Sequence, residues 1–169
     1  MDRKLKKWEL CLMLGLLCTL ASGVWLEREQ TELSDRVIRL HVIANSDSPA
    51  DQALKLAVRD RVLEQAQELY PAGADLETAR AALEGGLSRL AAAGRQEVER
   101  QGCSYPVTAR LVRCHFPTKE YDGFALPAGE YTALRVVIGE GEGKNWWCVA
   151  FPPLCLGAAS ETVDDAVSA

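Results

Sequence analysis

The most regular hydrophobic pattern in the chain changes its period within residues 39–60. Every second residue of Ile38–Ala44 is apolar, whereas Arg39, His41 and Ile43 occupy the alternate positions. Successive residues of a strand point to opposite faces, so this alternation predicts a half-buried strand. The pattern therefore predicts that Arg39, His41 and Ile43 lie on its exposed face.

A helix is predicted immediately after this strand. Ser48 can accept hydrogen bonds from free backbone N–H groups, and Pro49 suits the first helical position. Apolar residues then recur at intervals of three or four from Leu54 to Leu69, which predicts one buried stripe along the helix. The polar segment Asn45–Asp47, between strand and helix, is either a connector or a contact surface.

A second helix is predicted from Asp75 to Gln101, with apolar residues at helical spacing on its inner face. Gly85 and Gly86 lie in its interior, where each glycine costs about 1 kcal/mol relative to alanine. A kink or a break is therefore expected at this point.

Three further strands are predicted by period-2 patterns rich in β-branched and aromatic residues, and they are Tyr105–Phe116, Tyr131–Ile138 and Asn145–Phe151. The Gly-rich segment Gly139–Lys144 is short, so the last two strands are expected to form an antiparallel hairpin. The segment Pro117–Glu130 contains several Pro and Gly residues and is predicted to be a long loop that folds back over the domain.

The order of these elements predicts an α+β two-layer domain, with a mostly antiparallel sheet of about four strands and two helices packed on one face. Trp146 and Trp147 then point to opposite sides of the sheet. One of them is either covered by the Pro117–Glu130 loop or exposed. An exposed tryptophan would be a candidate protein contact.

The N-terminal pattern is that of an export signal. A basic segment at residues 1–7 precedes the apolar segment Leu10–Ala21, and the small residues at 21–23 suit cleavage by signal peptidase. If the signal is not cleaved, the apolar stretch is near the lower limit for a membrane anchor. The expected organisation is a signal peptide or membrane anchor at 1–23, a linker at 24–35, one domain at 36–156 and a disordered tail at 157–169.

The net charge of −5 narrows the range of partners. Nucleic-acid binding needs clustered Lys and Arg to displace counterions from phosphates, so no nucleic-acid partner is expected. Four of the basic residues lie in the first seven positions, and the domain that comes after them is therefore more acidic still.

Four cysteines lie beyond the export signal, in a compartment where disulfides can persist. Cys103 and Cys114 would be roughly 35 Å apart if one continuous strand separates them, which is too far for a disulfide. Cys148 and Cys155 flank a short Pro-containing segment, and a bridge between them would contribute about 2–3 kcal/mol. Alternatively, all four are buried as small apolar side chains. No metal site is expected, because no Cys or Cys/His pair has the spacing of metal ligands.

No motif in the chain assigns catalysis or a cofactor. Gly139–Lys144 departs from a phosphate-binding loop at both ends, and its two glutamates would repel a phosphate. His41 and His115 lack the neighbours of a known catalytic motif. In the Asn45–Asp51 region, a calcium loop is excluded because Pro49 occupies a ligand position. We therefore expect no catalytic residue, no cofactor and no metal.

Charged residues on the first helix suggest a contact surface instead. Asp51, Lys55 and Arg59 are spaced at intervals of four, so they share one helix face. This face is either a solvated set of ion pairs or part of a docking surface. The candidate partner-binding residues are Asn45, Asp47, Lys55, Arg59, Trp146 and Trp147.

Two long blocks of the chain have a specific sequence. The first block is Leu40–Asp60, with the sequence LHVIANSDSPADQALKLAVRD. The second is Leu126–Cys155, with the sequence LPAGEYTALRVVIGEGEGKNWWCVAFPPLC. Both blocks resemble the stage II sporulation protein R family of endospore-forming bacteria. The resemblance spans roughly Arg36 to Leu156. Cys148 and Cys155 match the family pattern.

The resemblance implies a signalling function without catalysis. Members of the family are made in the forespore, exported into the intermembrane space of the sporulation septum, and activate a membrane-embedded protease of aspartic type. That protease removes the pro-sequence of mother-cell sigma factor E. The implied partner is this protease, with membrane contact through the N-terminal segment if the signal is not cleaved. No catalytic residue is transferred.

Two other functions are compatible with an exported domain. One is a hydrolase that acts on envelope polymers through Asp47, Asp51 or His41, which predicts a cleft with a carboxylate of shifted pKa. The other is a structural protein of the septum, which would have no signalling effect.

Overall fold

The computed structural model describes residues 2–121 and 124–153. Within them lie four helices and six strands. Their bounds are α1 Asp2–Ser34, β1 Ile38–Ile43, α2 Pro49–Gln67, α3 Leu76–Gly85, α4 Leu87–Arg100, β2 Val107–Phe116, β3 Lys119–Tyr121, β4 Phe124–Leu126, β5 Gly129–Ile138 and β6 Asn145–Phe151.

The main sheet has four strands in the order β2-β5-β1-β6. Strand β1 runs parallel to β5 and antiparallel to β6, and β2 runs antiparallel to β5. Side chains from α2, α3 and α4 pack against one face of this sheet. The predicted α+β fold with a mostly antiparallel four-stranded sheet is therefore confirmed.

The predicted hairpin between β5 and β6 is wrong, because β1 lies between these strands. Leu40 of β1 is opposite Leu134 of β5 on one side and Cys148 of β6 on the other. Neighbouring strands are roughly 4.8 Å apart, so the Gly139–Lys144 loop spans about 10 Å and passes around the end of β1. The loop length alone does not distinguish this crossing from a hairpin.

The main core lies between the sheet and the helices. Helix α2 contributes the predicted apolar stripe, and α3 and α4 contribute Leu83, Leu90 and Val98. Each fully buried aliphatic side chain stabilises the fold by about 1.5–3 kcal/mol. The buried core of α2 and β1 comprises Ile38, Leu40, Val42, Leu54, Val58, Val62, Leu63 and Ala66.

Both predicted helix starts are confirmed by their capping hydrogen bonds. The backbone N–H of Asp51 donates to Ser48 Oγ at 3.2 Å, and the backbone N–H of Thr78 donates to Asp75 Oδ1 at 2.8 Å. The predicted long second helix is broken at Gly86, between α3 and α4. A Cβ atom at Gly86 would collide with the side chain of Leu69, so the break is also a point of close packing.

The second face of the sheet carries a smaller core, and this corrects the predicted exposure of β1. Arg39 is 0% exposed and Ile43 is 5% exposed, although the alternation predicts both on a solvated face. Phe116 and Tyr131 are buried on this face, and the Arg39 guanidinium carbon lies 4.2 Å from the Phe116 ring centroid. The prediction fails because β1 is an interior strand with both faces covered.

The segment between β2 and β5 has secondary structure of its own. It contains β3 and β4, which pair as a two-stranded sheet, where the sequence predicts a long loop. The hydroxyl of Tyr131 donates to the carbonyl of Pro127 at 2.7 Å, which ties the segment to β5.

Helix α1 is 33 residues long and continues through the predicted linker as far as Ser34. Among residues 2–121 and 124–153, no helix combines the length and the apolar character needed to cross a bilayer. The predicted tail at 157–169 and Cys155 lie outside the described residues. Export and cleavage of the N-terminal segment stay predictions.

Candidate functional site

The Asn45–Asp47 segment holds the Gly139–Lys144 loop against the end of β1. The Asn45 side-chain oxygen accepts a hydrogen bond from the backbone N–H of Glu140 at 3.1 Å, and its carbonyl accepts from Glu142 at 3.2 Å. The Asp47 carboxylate accepts from the backbone N–H of Lys144 at 2.7 Å. These polar side chains therefore have a structural role that the sequence pattern does not reveal.

The loop depends on glycine at its first position. Gly139 has a φ of +59°, in the left-handed region, and a Cβ atom there would overlap the side chain of Asn45. Both the backbone conformation and the close approach exclude a larger residue. The glycine that opens this loop is thus explained by its contact with Asn45.

Asp51 links the same segment to the start of α2. Its Oδ2 accepts from Asn45 Nδ2 at 2.9 Å and from Ser46 Oγ at 2.5 Å. These hydrogen bonds lower the pKa of the Asp51 carboxyl, and the one from Ser46 has the largest effect. The carboxylate is buried and fully engaged by its own neighbours.

Lys55 is the most unusual residue of this region, because it is a fully buried amine. It is 0% exposed, and its Nζ donates to Gln52 Oε1 at 2.7 Å and to the Lys144 carbonyl at 3.2 Å. Burial lowers the pKa of Lys55 to about 8, while the nearby Asp47 carboxylate opposes that shift. The alternative of a solvated set of ion pairs is therefore wrong for Lys55.

Arg59 joins α2 to β6 through an aromatic contact. Its guanidinium carbon lies 4.4 Å from the Trp146 ring centroid, and Arg59 Nε donates to Asp60 Oδ1 at 2.8 Å. Such cation–π contacts contribute about 0.5–2 kcal/mol, and more when water is excluded. Arg59 is only 8% exposed, so most of its surface is used within the domain.

Trp147 lies on the opposite face of the sheet from Trp146. Its ring centroid is 5.9 Å from that of His41 and 6.4 Å from that of Phe116. His41 Nε2 lies 2.8 Å from Asn145 Oδ1, and burial lowers the pKa of His41. Because an amide oxygen can only accept, His41 donates this hydrogen bond through Nε2.

The strand registers place two arginines beside this aromatic group. Arg110 of β2 is directly opposite Arg135 of β5, and Arg135 is directly opposite His41 of β1. His41 is in turn opposite Trp147 of β6. Arg110, Arg135, His41 and Trp147 therefore form one row across all four strands, which we call the cross-strand row.

Sequence reasoning did not identify Arg110 and Arg135. The alternation of β2 and β5 places each arginine on the face away from the helices. The two meet through the register between β2 and β5, and local patterns carry no signal for that register.

The six predicted partner-binding residues fall into two groups. Five of them lie on the helix side of the sheet, around the end of β1 and the first turns of α2, and these are Asn45, Asp47, Lys55, Arg59 and Trp146. Trp147 alone belongs to the other face. Asp47 is exposed and Asn45, Trp146 and Trp147 are half-buried, whereas Lys55 and Arg59 are buried.

The predicted disulfide between Cys148 and Cys155 stays a prediction. Cys148 is buried in the main core, and its predicted partner lies outside the described residues. Cys103, which precedes β2, and Cys114, which lies on β2, are both free thiols, as expected from their predicted separation. Burial raises the pKa of the Cys114 thiol, which disfavours its reactive thiolate form.

The residues proposed for a hydrolase are not gathered at one site. Asp51 lies at the start of α2 on the helix side, whereas His41 faces the second side of the sheet with Trp147 and Phe116. In the part of the chain that the structure describes, no group of three or more His, Cys, Asp or Glu is placed to hold a metal ion.

Comparison with known proteins identifies the family. The sequence profile of stage II sporulation protein R matches residues 34–161 of the chain. Stage II sporulation protein R of Bacillus subtilis (strain 168) is 37% identical over 130 residues, which are 77% of this chain and 58% of that protein. No solved structure matches the chain. Because the family profile covers more than half of the length of this chain, the chain belongs to the stage II sporulation protein R family.

Proposed function

We propose that this protein is an exported sporulation signal that activates a membrane-embedded protease of aspartic type. In this proposal, the protease then removes the pro-sequence of mother-cell sigma factor E. The family match over residues 34–161 carries the proposal, because it includes the whole α+β domain from β1 to β6. The protein would act without catalysing a reaction itself.

The proposed place of action is the intermembrane space of the sporulation septum, after export from the forespore. The basic and then apolar N-terminal segment supports export, with the protein either secreted or held at the membrane by that segment. Cys148 and Cys155 would form a disulfide there, because disulfides persist in the oxidising conditions outside the cytoplasm.

The burial of the candidate contact residues refines where a partner could bind. Asp47 and the two half-buried tryptophans have surface that a partner could cover. Lys55 and Arg59 are buried, so their proposed contribution is indirect. The Lys55 amine donates a hydrogen bond to the Lys144 carbonyl, and the Arg59 guanidinium packs over the ring of Trp146.

The first prediction concerns signalling itself. The full chain, produced in the forespore of a Bacillus subtilis strain that lacks its own stage II sporulation protein R, should restore conversion of the sigma factor E precursor. The conversion is measured by immunoblot during sporulation. A variant without residues 2–23 should accumulate in the forespore without restoring conversion, because it lacks the export segment.

The proposal would be overturned if the full chain were exported and folded but left the precursor unprocessed. A septal hydrolase or a structural protein predicts that outcome, with a change in septum morphology instead.

A further inference from the structure

The cross-strand row contains a pair of like charges that no carboxylate of the described residues neutralises. Arg110 and Arg135 are directly opposite on β2 and β5, and both are exposed. Among residues 2–121 and 124–153, neither guanidinium has a carboxylate within ion-pair distance. Their neighbours two positions along each strand are uncharged, namely Thr108, Val137, Val112 and Ala133.

This arrangement is unfavourable in the isolated domain. Like charges directly opposite on an antiparallel pair destabilise the sheet, and the chain has 24 acidic residues that could have served as partners. An exposed, uncompensated pair of arginines in an acidic protein therefore indicates complementarity to an anionic group outside the domain.

The other half of the row consists of the two ring side chains His41 and Trp147. His41 is held by Asn145 and packs against the ring of Trp147, which is half-buried and so retains exposed surface. Because strands are roughly 4.8 Å apart, the row is about 14 Å long. That is the length of about four residues of an extended peptide.

We propose that the cross-strand row binds an acidic segment of the protease that this signal activates, with Asp or Glu carboxylates on Arg110 and Arg135 and an apolar side chain on Trp147. This inference rests on the proposed function. The planar guanidinium group suits carboxylates, because it can donate two parallel hydrogen bonds to them.

A membrane surface fits the row less well than an acidic peptide. Segments that bind anionic lipids use clusters of four to eight Lys or Arg residues, each contributing about 1 kcal/mol. The row offers two arginines in a chain of net charge −5, which an anionic bilayer repels as a whole. Two guanidiniums beside an aromatic ring suit a short peptide.

The test compares two double variants of the full chain in the sporulating Bacillus subtilis strain that lacks its own signal. Arg110→Glu with Arg135→Glu should reduce conversion of the sigma factor E precursor by about tenfold or more, because acidic groups would then face acidic groups. Arg89→Glu with Arg95→Glu is the matched control. It changes the net charge equally at two exposed arginines of α4 and should leave conversion unchanged.

The outcomes separate this inference from the proposed function. If the unchanged chain fails to restore conversion, the proposed function fails and the inference fails with it. If the unchanged chain succeeds and the Arg110/Arg135 variant is equally active, the function stands and the cross-strand row is not the binding surface.

Thermal unfolding distinguishes binding from a structural role. The single variant Arg110→Glu replaces repulsion with a cross-strand ion pair, so its Tm should rise by about 1–2 °C while conversion falls. A structural role predicts that Tm and conversion fall together, and that result would contradict the inference.

Cosedimentation with phosphatidylglycerol vesicles tests the membrane alternative. The unchanged chain and both double variants should sediment to the same extent, through the N-terminal segment that all three share. A loss confined to the Arg110/Arg135 variant would overturn the inference in favour of a lipid contact.

Discussion

Lys55 shows how one residue can be both essential to a local arrangement and costly to the fold. Its amine donates a hydrogen bond to the Lys144 carbonyl and so fixes the end of the loop that passes around β1. The Lys55 side chain is nevertheless 0% exposed to solvent. A charged amine without solvent is unfavourable, which is why burial lowers its pKa to about 8. The nearby charges that act on it are Asp47, Lys144 and Arg59.

The pKa of Lys55 predicts a specific pH dependence of stability. Because the folded pKa of about 8 is below the unfolded value of 10.5, the unfolded state binds more protons between these pH values. The contribution of Lys55 to the free energy of unfolding should therefore rise with pH across this interval, by at most about 3 kcal/mol. Urea unfolding of the unchanged protein and of Lys55→Met, at several pH values, measures this difference.

The comparison with Lys55→Met isolates the amine from other titrating groups. The pKa values of Tyr70, Tyr105 and Cys114 are raised, so their titration lowers stability at high pH in both proteins. A difference between the two proteins that stayed constant from pH 8 to 10.5 would contradict the assignment.

At the scale of elements, the packing of α4 on α2 and β2 depends on Gly94. A Cβ atom there would lie 2.9 Å from Val107 Cγ1 and 3.4 Å from Val58 Cγ1. Valine side chains are stiff, so neither neighbour can move aside freely. Close packing therefore requires glycine at this position, although glycine has a poor helix propensity.

Two glycine variants test this requirement with opposite expected signs. Gly94→Ala should lower the free energy of unfolding by about 1–2 kcal/mol, because overpacking outweighs the gain in helix propensity. Gly85→Ala, where a Cβ atom meets nothing within 4 Å, should leave stability unchanged or raise it by up to about 1 kcal/mol. Urea unfolding measures both, and equal effects at the two sites would contradict the packing argument.

The link between β1, α2 and the Gly139–Lys144 loop is also an element-scale feature. Asn45→Ala removes the acceptor for the Glu140 N–H and a donor to Asp51. It should lower the free energy of unfolding by about 1–3 kcal/mol. Gln96→Ala, at an exposed amide of α4, is the matched control and should change it by less than about 0.5 kcal/mol.

This measurement also separates two roles for Asn45. If Asn45→Ala remains as stable as the unchanged protein but no longer restores sigma factor E processing, Asn45 is a partner contact. If stability and processing fall together, the loop contact accounts for the effect.

At the scale of the whole molecule, the two faces of the sheet have different roles. The helix side contains the main core and the buried polar contacts that tie α2 to the loop. The other side combines a small aromatic core around Phe116 with the exposed end of the cross-strand row. The cross-strand row, which we propose as the binding surface for an acidic segment, is therefore on the face that the helices leave open.

The sequence by itself determined the elements whose signals are local. The capping residue Ser48, the helix start at Asp75, the apolar stripe of α2 and the break at Gly85–Gly86 each depend on residues within one or two helical turns, and each is confirmed. The two sequence blocks likewise identified the family, because long specific segments do not require a fold to be recognised.

Only the tertiary structure decided the strand order and the side-chain contacts that depend on it. Period-2 alternation assigns residues to two faces, but it does not say which strands are neighbours or whether both faces are covered. The insertion of β1 between β5 and β6 buries Arg39 and places His41 between Arg135 and Trp147, and the pairing of β2 with β5 aligns Arg110 with Arg135. Many of these contacts join residues about 100 positions apart, so they arise from the packing of the whole chain and have no local signature.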